Sequence, residues 1–194
     1  VMCNYNHGHY IQEALQAILS QSFSPLEVIV IDDGSTDNSV QIIESIADKN
    51  PTVKFYRNVK NEGVWYACNK GTKIATGEYI YWAAADDRVC PGFFEKSVNI
   101  LNQNPEAGLS SALLKIIDED GNDTMWAKSP VISKTECFLS ANQVRKVLLK
   151  HGFWFTGHTV ICRREYLVKD ANVFDPELYQ FADHIVDIIL ATKH

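Results

Sequence analysis

Apolar positions along this chain fall into short runs and helical stripes that alternate. After the opening VMCNYNHGH, residues Tyr10, Ile11, Ala14, Leu15, Ile18 and Leu19 recur at helical spacing and predict an amphipathic helix. Pro25 closes that region. Glu27 to Ile31 has the continuous apolar character of a short strand covered on both faces. GSTDNS supplies helix-capping residues, and Val40, Ile43, Ile46 and Ala47 mark the helix behind it. Val53–Arg57 reads as the next strand, Asn61–Gly63 as a turn and Val64 to Ala75 as a helix. Gly77 opens a strand through EYIYWAA. Pro91 starts a helix with Phe93, Phe94, Val98 and Leu101 on its inner side. AGLSSALLKIID reads as one strand, EDGND as a hairpin-like turn, Ser140 to Lys150 as a helix, Thr159–Cys162 as a strand and Gln180 onward as a helix.

Strand and helix alternate through the first hundred or so residues. That order predicts an α/β protein, a mostly parallel sheet with helices on both faces. In such sheets ligands bind outside the carboxyl ends of the strands. Two acidic pairs, Asp32-Asp33 and Asp86-Asp87, fall at those ends.

Composition narrows the picture. A chain of 194 residues with 46% hydrophobic and 22% charged residues fits one globular domain with a sizeable core. The net charge of −6, without a Lys/Arg cluster, excludes nucleic acid as the expected partner. No apolar run approaches a membrane span and no signal peptide is visible. Five scattered cysteines, none in a CxxC pair, read as reduced thiols of a cytoplasmic protein. The chain opens at Val1 inside what reads as a strand and closes at His194 inside an apolar-periodic helix. The expectation is a single domain, 1–194, truncated at both ends.

Three stretches carry candidate chemistry, each with two readings. CNYNHGH leads from a strand into a helix, where backbone N–H groups can face an anion and Tyr5 can cover a nucleobase; it also reads as an ordinary polar loop. Asp33 can accept a base imide N–H while Asp32 meets a ribose hydroxyl or a backbone partner. The other reading makes the stretch a solvated loop, with Ser35 or Asp37 capping the next helix. Asp86-Asp87 suits a hard divalent cation that takes its remaining ligands from water and substrate phosphates, or else closes a strand as an acidic turn.

CNYNHGHYIQEALQAILSQSF, EVIVIDDGSTDNS, NEGVWYACNKGTKIATGEYIYWAAADD and PGFFEKSV, in this order and spacing, resemble family 2 glycosyltransferases. These are inverting enzymes with a GT-A fold. The resemblance covers roughly residues 1–100, implying a Rossmann-like nucleotide-sugar-binding half followed by an acceptor-binding half over 101–194. It implies that Cys3 and Tyr5 contact the nucleobase, that Asp33 holds the base imide with Asp32 beside it, and that Asp86 binds ribose. Asp87 would then be the metal ligand, for Mn2+ or Mg2+. Ala84 stands where many members carry a further acid. The second half matches less closely. Asp183 in QFADHIVD takes the place of the general base, and Trp154, Gly157 and His158 that of the acceptor pocket, with a core cluster as the alternative for Trp154. Lys70, Arg88 and Arg163 are candidate partners for the diphosphate.

The implied reaction moves a sugar from a nucleotide-sugar donor, UDP-sugars being the default, to the hydroxyl of a saccharide or lipid-linked acceptor. Bacterial members commonly build surface polysaccharide or lipopolysaccharide, which implies peripheral association with the inner face of the membrane. The alternatives are a nucleotidyltransferase, which would want a basic Gly-rich loop at the first strand, and a non-catalytic nucleotide- or sugar-binding domain. The oligomeric state is not legible.

Overall fold

The computed structural model describes residues 1–127, 132–152, 157–167, 173–177, 186–188 and 190–191. Its first half runs β1 (Met2–Asn4), α1 (Ile11–Leu19), β2 (Val28–Asp32), α2 (Ser39–Ala47), β3 (Val53–Arg57) and α3 (Val64–Ile74). Then come β4 (Tyr79–Tyr81), β5 (Ala83–Ala84), α4 (Phe93–Gln103), β6 (Leu109–Ser111), β7 (Lys115–Ile117), β8 (Asp123–Trp126), α5 (Ala141–His151) and β9 (Val160–Arg163).

The central sheet has the order β3–β2–β1–β5 with every pair parallel. Every residue of β2 is buried, because helices cover both faces. Side chains alternate along a strand, so Val28 and Val30 join Met2 and the inner faces of α1, α2 and α4, including Ile11, Leu15, Ile43 and Leu101. Ile29 and Ile31 point the other way and meet Ala67 of α3, with Val1 and Cys3 beside them. Each such side chain contributes about 1.5–3 kcal/mol by leaving water, and this two-sided burial fixes the register.

The strand expected through Glu78 and Ala84 is divided between two sheets. β4 pairs antiparallel with β9, in a second sheet of order β4–β9–β6, while β5 joins β1. Trp82 marks the crossing, buried with its indole N–H donating to Thr72 Oγ1 at 3.0 Å. The segment expected as one strand near residues 107–118 likewise divides, into β6 and a hairpin of β7 and β8 around the EDGND turn. α5 begins at a capping box, with Ser140 and Gln143 as its two members. The helix expected from Gln180 lies mostly outside the described residues. Among the described residues no helix is long and apolar enough to cross a membrane.

Candidate functional site

Asp32 and Asp33 stand side by side in sequence but face opposite layers. Asp32 continues the Val28–Val30 face and is fully buried. Its carboxylate accepts Asn4 Nδ2 at 2.7 Å, Ser35 Oγ at 2.5 Å and Ser35 N at 3.0 Å, with Arg57 Nε at 3.9 Å. Of the two roles expected of Asp32, ribose contact or backbone partner, the geometry fills the second. Asp33 turns toward the start of α3. It accepts Asn58 Nδ2 at 2.8 Å, Gly63 N at 2.8 Å and Glu62 N at 3.1 Å to both oxygens. A carboxylate has about four acceptor positions, and these four contacts, two on each oxygen, occupy them. Lys70 Nζ donates to Asn58 Oδ1 at 2.6 Å and extends this network, so it is committed to the loop rather than left for a diphosphate.

The GSTD turn is bolted to the first loop. Asn6 N donates to Ser35 Oγ, Asn6 Oδ1 accepts Thr36 N at 2.8 Å, and Gly8 N donates to Asp37 Oδ2 at 2.8 Å. The N–H groups of Asn6 and Gly8 that the sequence offers to an anion therefore have protein partners. Ser35 does not cap α2; its hydroxyl belongs to the Asp32 cluster. The N-cap is Asn38, without a side-chain cap bond, and Asp37 just ahead of it accepts Ser39 N and Ser39 Oγ. Burial works against its charge, yet these bonds and that from Gly8 hold its carboxyl below the ordinary range. Gly34 sits at φ +80, and a Cβ there would come within 2.7 Å of the Lys60 backbone, so this turn admits only glycine.

Asp86 and Asp87 are a different kind of pair. They follow β5, whose Ala84 lies opposite Cys3 of β1, while Asn4 lies opposite Asp32 on the far side. The strands that lead into the two acidic pairs thus flank β1, two strand spacings or about 10 Å apart. Asp86 is exposed and, among the described residues, accepts no hydrogen bond and joins no ion pair. Asp87 is half-exposed, with His158 Nδ1 3.5 Å from its Oδ2. Asn4, between the two pairs, keeps a buried Oδ1 without a donor among the described residues. Open carboxylate oxygens without protein donors are the ligands that a Mg2+- or Mn2+-class ion takes, so these residues fit one.

Tyr5, the residue after β1, is 43% exposed. Cys3 is half-buried with its Sγ 3.2 Å from Cys68 Sγ, and so faces α3. Arg88 reaches away from the diphosphate role, donating to Glu13 Oε1 at 2.7 Å and to the Gly121 carbonyl of the β7–β8 turn. Arg163 is buried and spends its donors on Leu101 and Ala107 carbonyls and the Tyr79 hydroxyl, so its role is internal. Asp183 and Trp154 lie outside the described residues. Gly157 and His158 form a short turn ahead of β9. Sequence reasoning missed Arg57, which donates to the Ser35 carbonyl from a half-exposed position; its place at the end of β3, in register with Asp32, was the available clue.

The sequence model of the family described as Glycosyl transferase family 2 matches residues 1–169. A Haemophilus influenzae protein named an uncharacterized glycosyltransferase is 38% identical over 104 residues, covering 54% of this chain and 42% of the relative. The chain thus spans less than half the length of that curated relative. Among solved structures, Staphylococcus aureus TarS 1-349 superimposes with a TM-score of 0.74 at 24% identity, covering 98% of this chain and 53% of TarS. The same TarS segment in complex with UDP gives 0.66 at 23% identity, with 96% and 52% covered. The Pyrobaculum calidifontis mannosyltransferase PcManGT, in complex with GDP-Man and Mn2+, gives 0.64 at 22%, with 94% and 48% covered. The architecture is the GT-A fold.

Proposed function

This chain belongs to glycosyl transferase family 2, and on that premise we propose that it transfers a sugar, with inversion, from a nucleotide-diphosphate sugar to an acceptor hydroxyl. The observation that carries the reading is the open Asp86-Asp87 pair beside a rigid, hydrogen-bonded loop pair at the same sheet edge. The nucleoside lies over that loop pair. Tyr5 covers the base, Cys3 lies on its floor, and Asp33 accepts a base N–H at the oxygen position that the shared Glu62 N contact gives up. UDP on TarS and GDP-Man with Mn2+ on PcManGT support a nucleotide donor, with UDP-sugars as the first choice.

Asp86 orients the ribose and Asp87 holds a divalent cation, Mn2+ or Mg2+. When bound, that cation supplies positive charge against the departing diphosphate. Asp183, placed by family resemblance, takes the acceptor proton as that oxygen attacks the anomeric carbon from the face opposite the nucleotide. One base suffices for inversion. The acceptor is a saccharide or a lipid-linked hydroxyl in surface polysaccharide synthesis, worked on at the inner face of the membrane.

Asp183→Asn tests the assignment. Donor binding by calorimetry should survive, while release of nucleoside diphosphate in the presence of acceptor should fall by about 100- to 10,000-fold. Unchanged turnover removes Asp183 from the base role.

A further inference from the structure

Asp87 Oδ2 and His158 Nδ1 lie 3.5 Å apart, and both side chains are roughly half-exposed. This spacing exceeds the usual N–H···O range of about 2.7–3.2 Å. Two ligand atoms each about 2.1 Å from one cation are separated by roughly 3.0 Å at a right angle and 3.4 Å at a tetrahedral angle. The observed pair therefore fits neighbouring ligands of a shared cation better than a direct hydrogen bond.

The approach is built into the backbone. β9 pairs Ile161 with Tyr81 of β4 and Val160 with Ser111 of β6, and Ala112 N donates to the Thr159 carbonyl. The Tyr81 hydroxyl donates to the His158 carbonyl at 3.1 Å. Burial, and then the Asp87 charge, push the Tyr81 phenol up, which keeps it a donor. The second sheet thus delivers an imidazole to the open acid of the first.

We propose that His158 is a protein ligand of the divalent cation held by Asp87, and that it tunes this site toward Mn2+ over Mg2+. The inference rests on the donor-site reading above and adds a residue to it. Mg2+ demands oxygen ligands in a near-ideal octahedron, whereas imidazole suits transition cations. Among the described residues no three His, Cys, Asp or Glu side chains converge on one point. Two protein donors leave the other positions for diphosphate oxygens and water, so cation and nucleotide bind together.

The test is pulsed EPR on the protein with MnCl2 and uridine or guanosine diphosphate, alongside competition of Mg2+ against Mn2+. The wild type should show a directly coordinated nitrogen. His158→Ala and His158→Gln, checked by thermal unfolding to be folded, should lose that nitrogen. Their preference for Mn2+ over Mg2+ should drop about 10-fold or more, the scale set by altered support of a metal ligand. Metal-free nucleotide affinity should stay as in the wild type. Bound Mn2+ without coordinated nitrogen, or a nitrogen that persists in both variants, overturns the inference and leaves the donor site standing. No Mn2+-dependent binding of either nucleotide overturns the donor-site reading, and the inference with it.

Discussion

Two pairs of adjacent aspartates end parallel strands of one sheet, and they do opposite work. Asp32-Asp33 is buried and provided with donors from both layers. Asp86-Asp87 is open, with one imidazole nearby. The like-charge conflict that adjacency implies is relieved at the first pair, because alternate residues of a strand point to opposite faces. Asp32 binds the first loop to the GSTD turn, and Asp33 gathers the N–H groups that precede α3. At the second pair, among the described residues, only the His158 imidazole is paired with either carboxylate, which leaves room for a ligand. Identical dipeptides at equivalent strand ends can thus be a structural clamp at one and, in the proposed function, a binding site at the other.

That contrast is breakable by substitution, and the largest effect belongs to the open pair. Asp87→Asn should cut sugar transfer by about 1,000-fold, roughly 4 kcal/mol of transition-state stabilisation, while unfolding stability moves by no more than about 0.5 kcal/mol. Steady-state rates and urea denaturation of the same preparation read both. Asp32→Ala should reverse the pattern. It strips the acceptor from Asn4 Nδ2, Ser35 Oγ and Ser35 N, and should lower unfolding stability by about 3 kcal/mol. Asp33→Ala should cost about 2 kcal/mol by the same logic and also weaken nucleotide binding in the absence of metal. A stability loss at Asp87 equal to that at Asp32 would erase the distinction.

The smallest effect lies at the opposite, amino-terminal end of β2. Glu27 accepts Lys54 Nζ, Thr76 N and Thr76 Oγ1. Burial opposes its charge, but these bonds draw its pKa from 4.5 to about 2. A folded-state value below the unfolded one means stability that is present above pH 4.5 and lost as pH falls toward about 2. Denaturation midpoints of Glu27→Gln should lack this part of the acid dependence.

The parallel half of the fold was legible because its units are local: a strand, a turn with cap residues, a helix, repeated. Hydrophobic period and punctuation suffice for that. The second sheet was not, since β4 meets β9 about 80 residues on, and no local pattern in EYIYWAA announces that the chain changes sheets at Trp82. In the site, the acidic pairs were visible as residues, and the nucleotide reading came with the family resemblance. Which pair is saturated was not visible. That depends on Asn4, Asn58, Glu62 and Gly63, whose side chains and N–H groups read locally as turn chemistry. His158 was placed on the acceptor side by resemblance, and only the pairing of β9 with β4 brings it to Asp87.

The central claim is that Asp86-Asp87 is the metal-diphosphate end of a donor site whose loop end is already complete. Calorimetric titration of uridine and guanosine diphosphates into the wild-type protein, with and without Mn2+, tests it directly. The account predicts that at least one of them binds about 10-fold or more tightly with Mn2+ present, a gain of roughly 1.4 kcal/mol, and that Asp87→Asn abolishes the gain. Affinities for both nucleotides that Mn2+ leaves unchanged would contradict it.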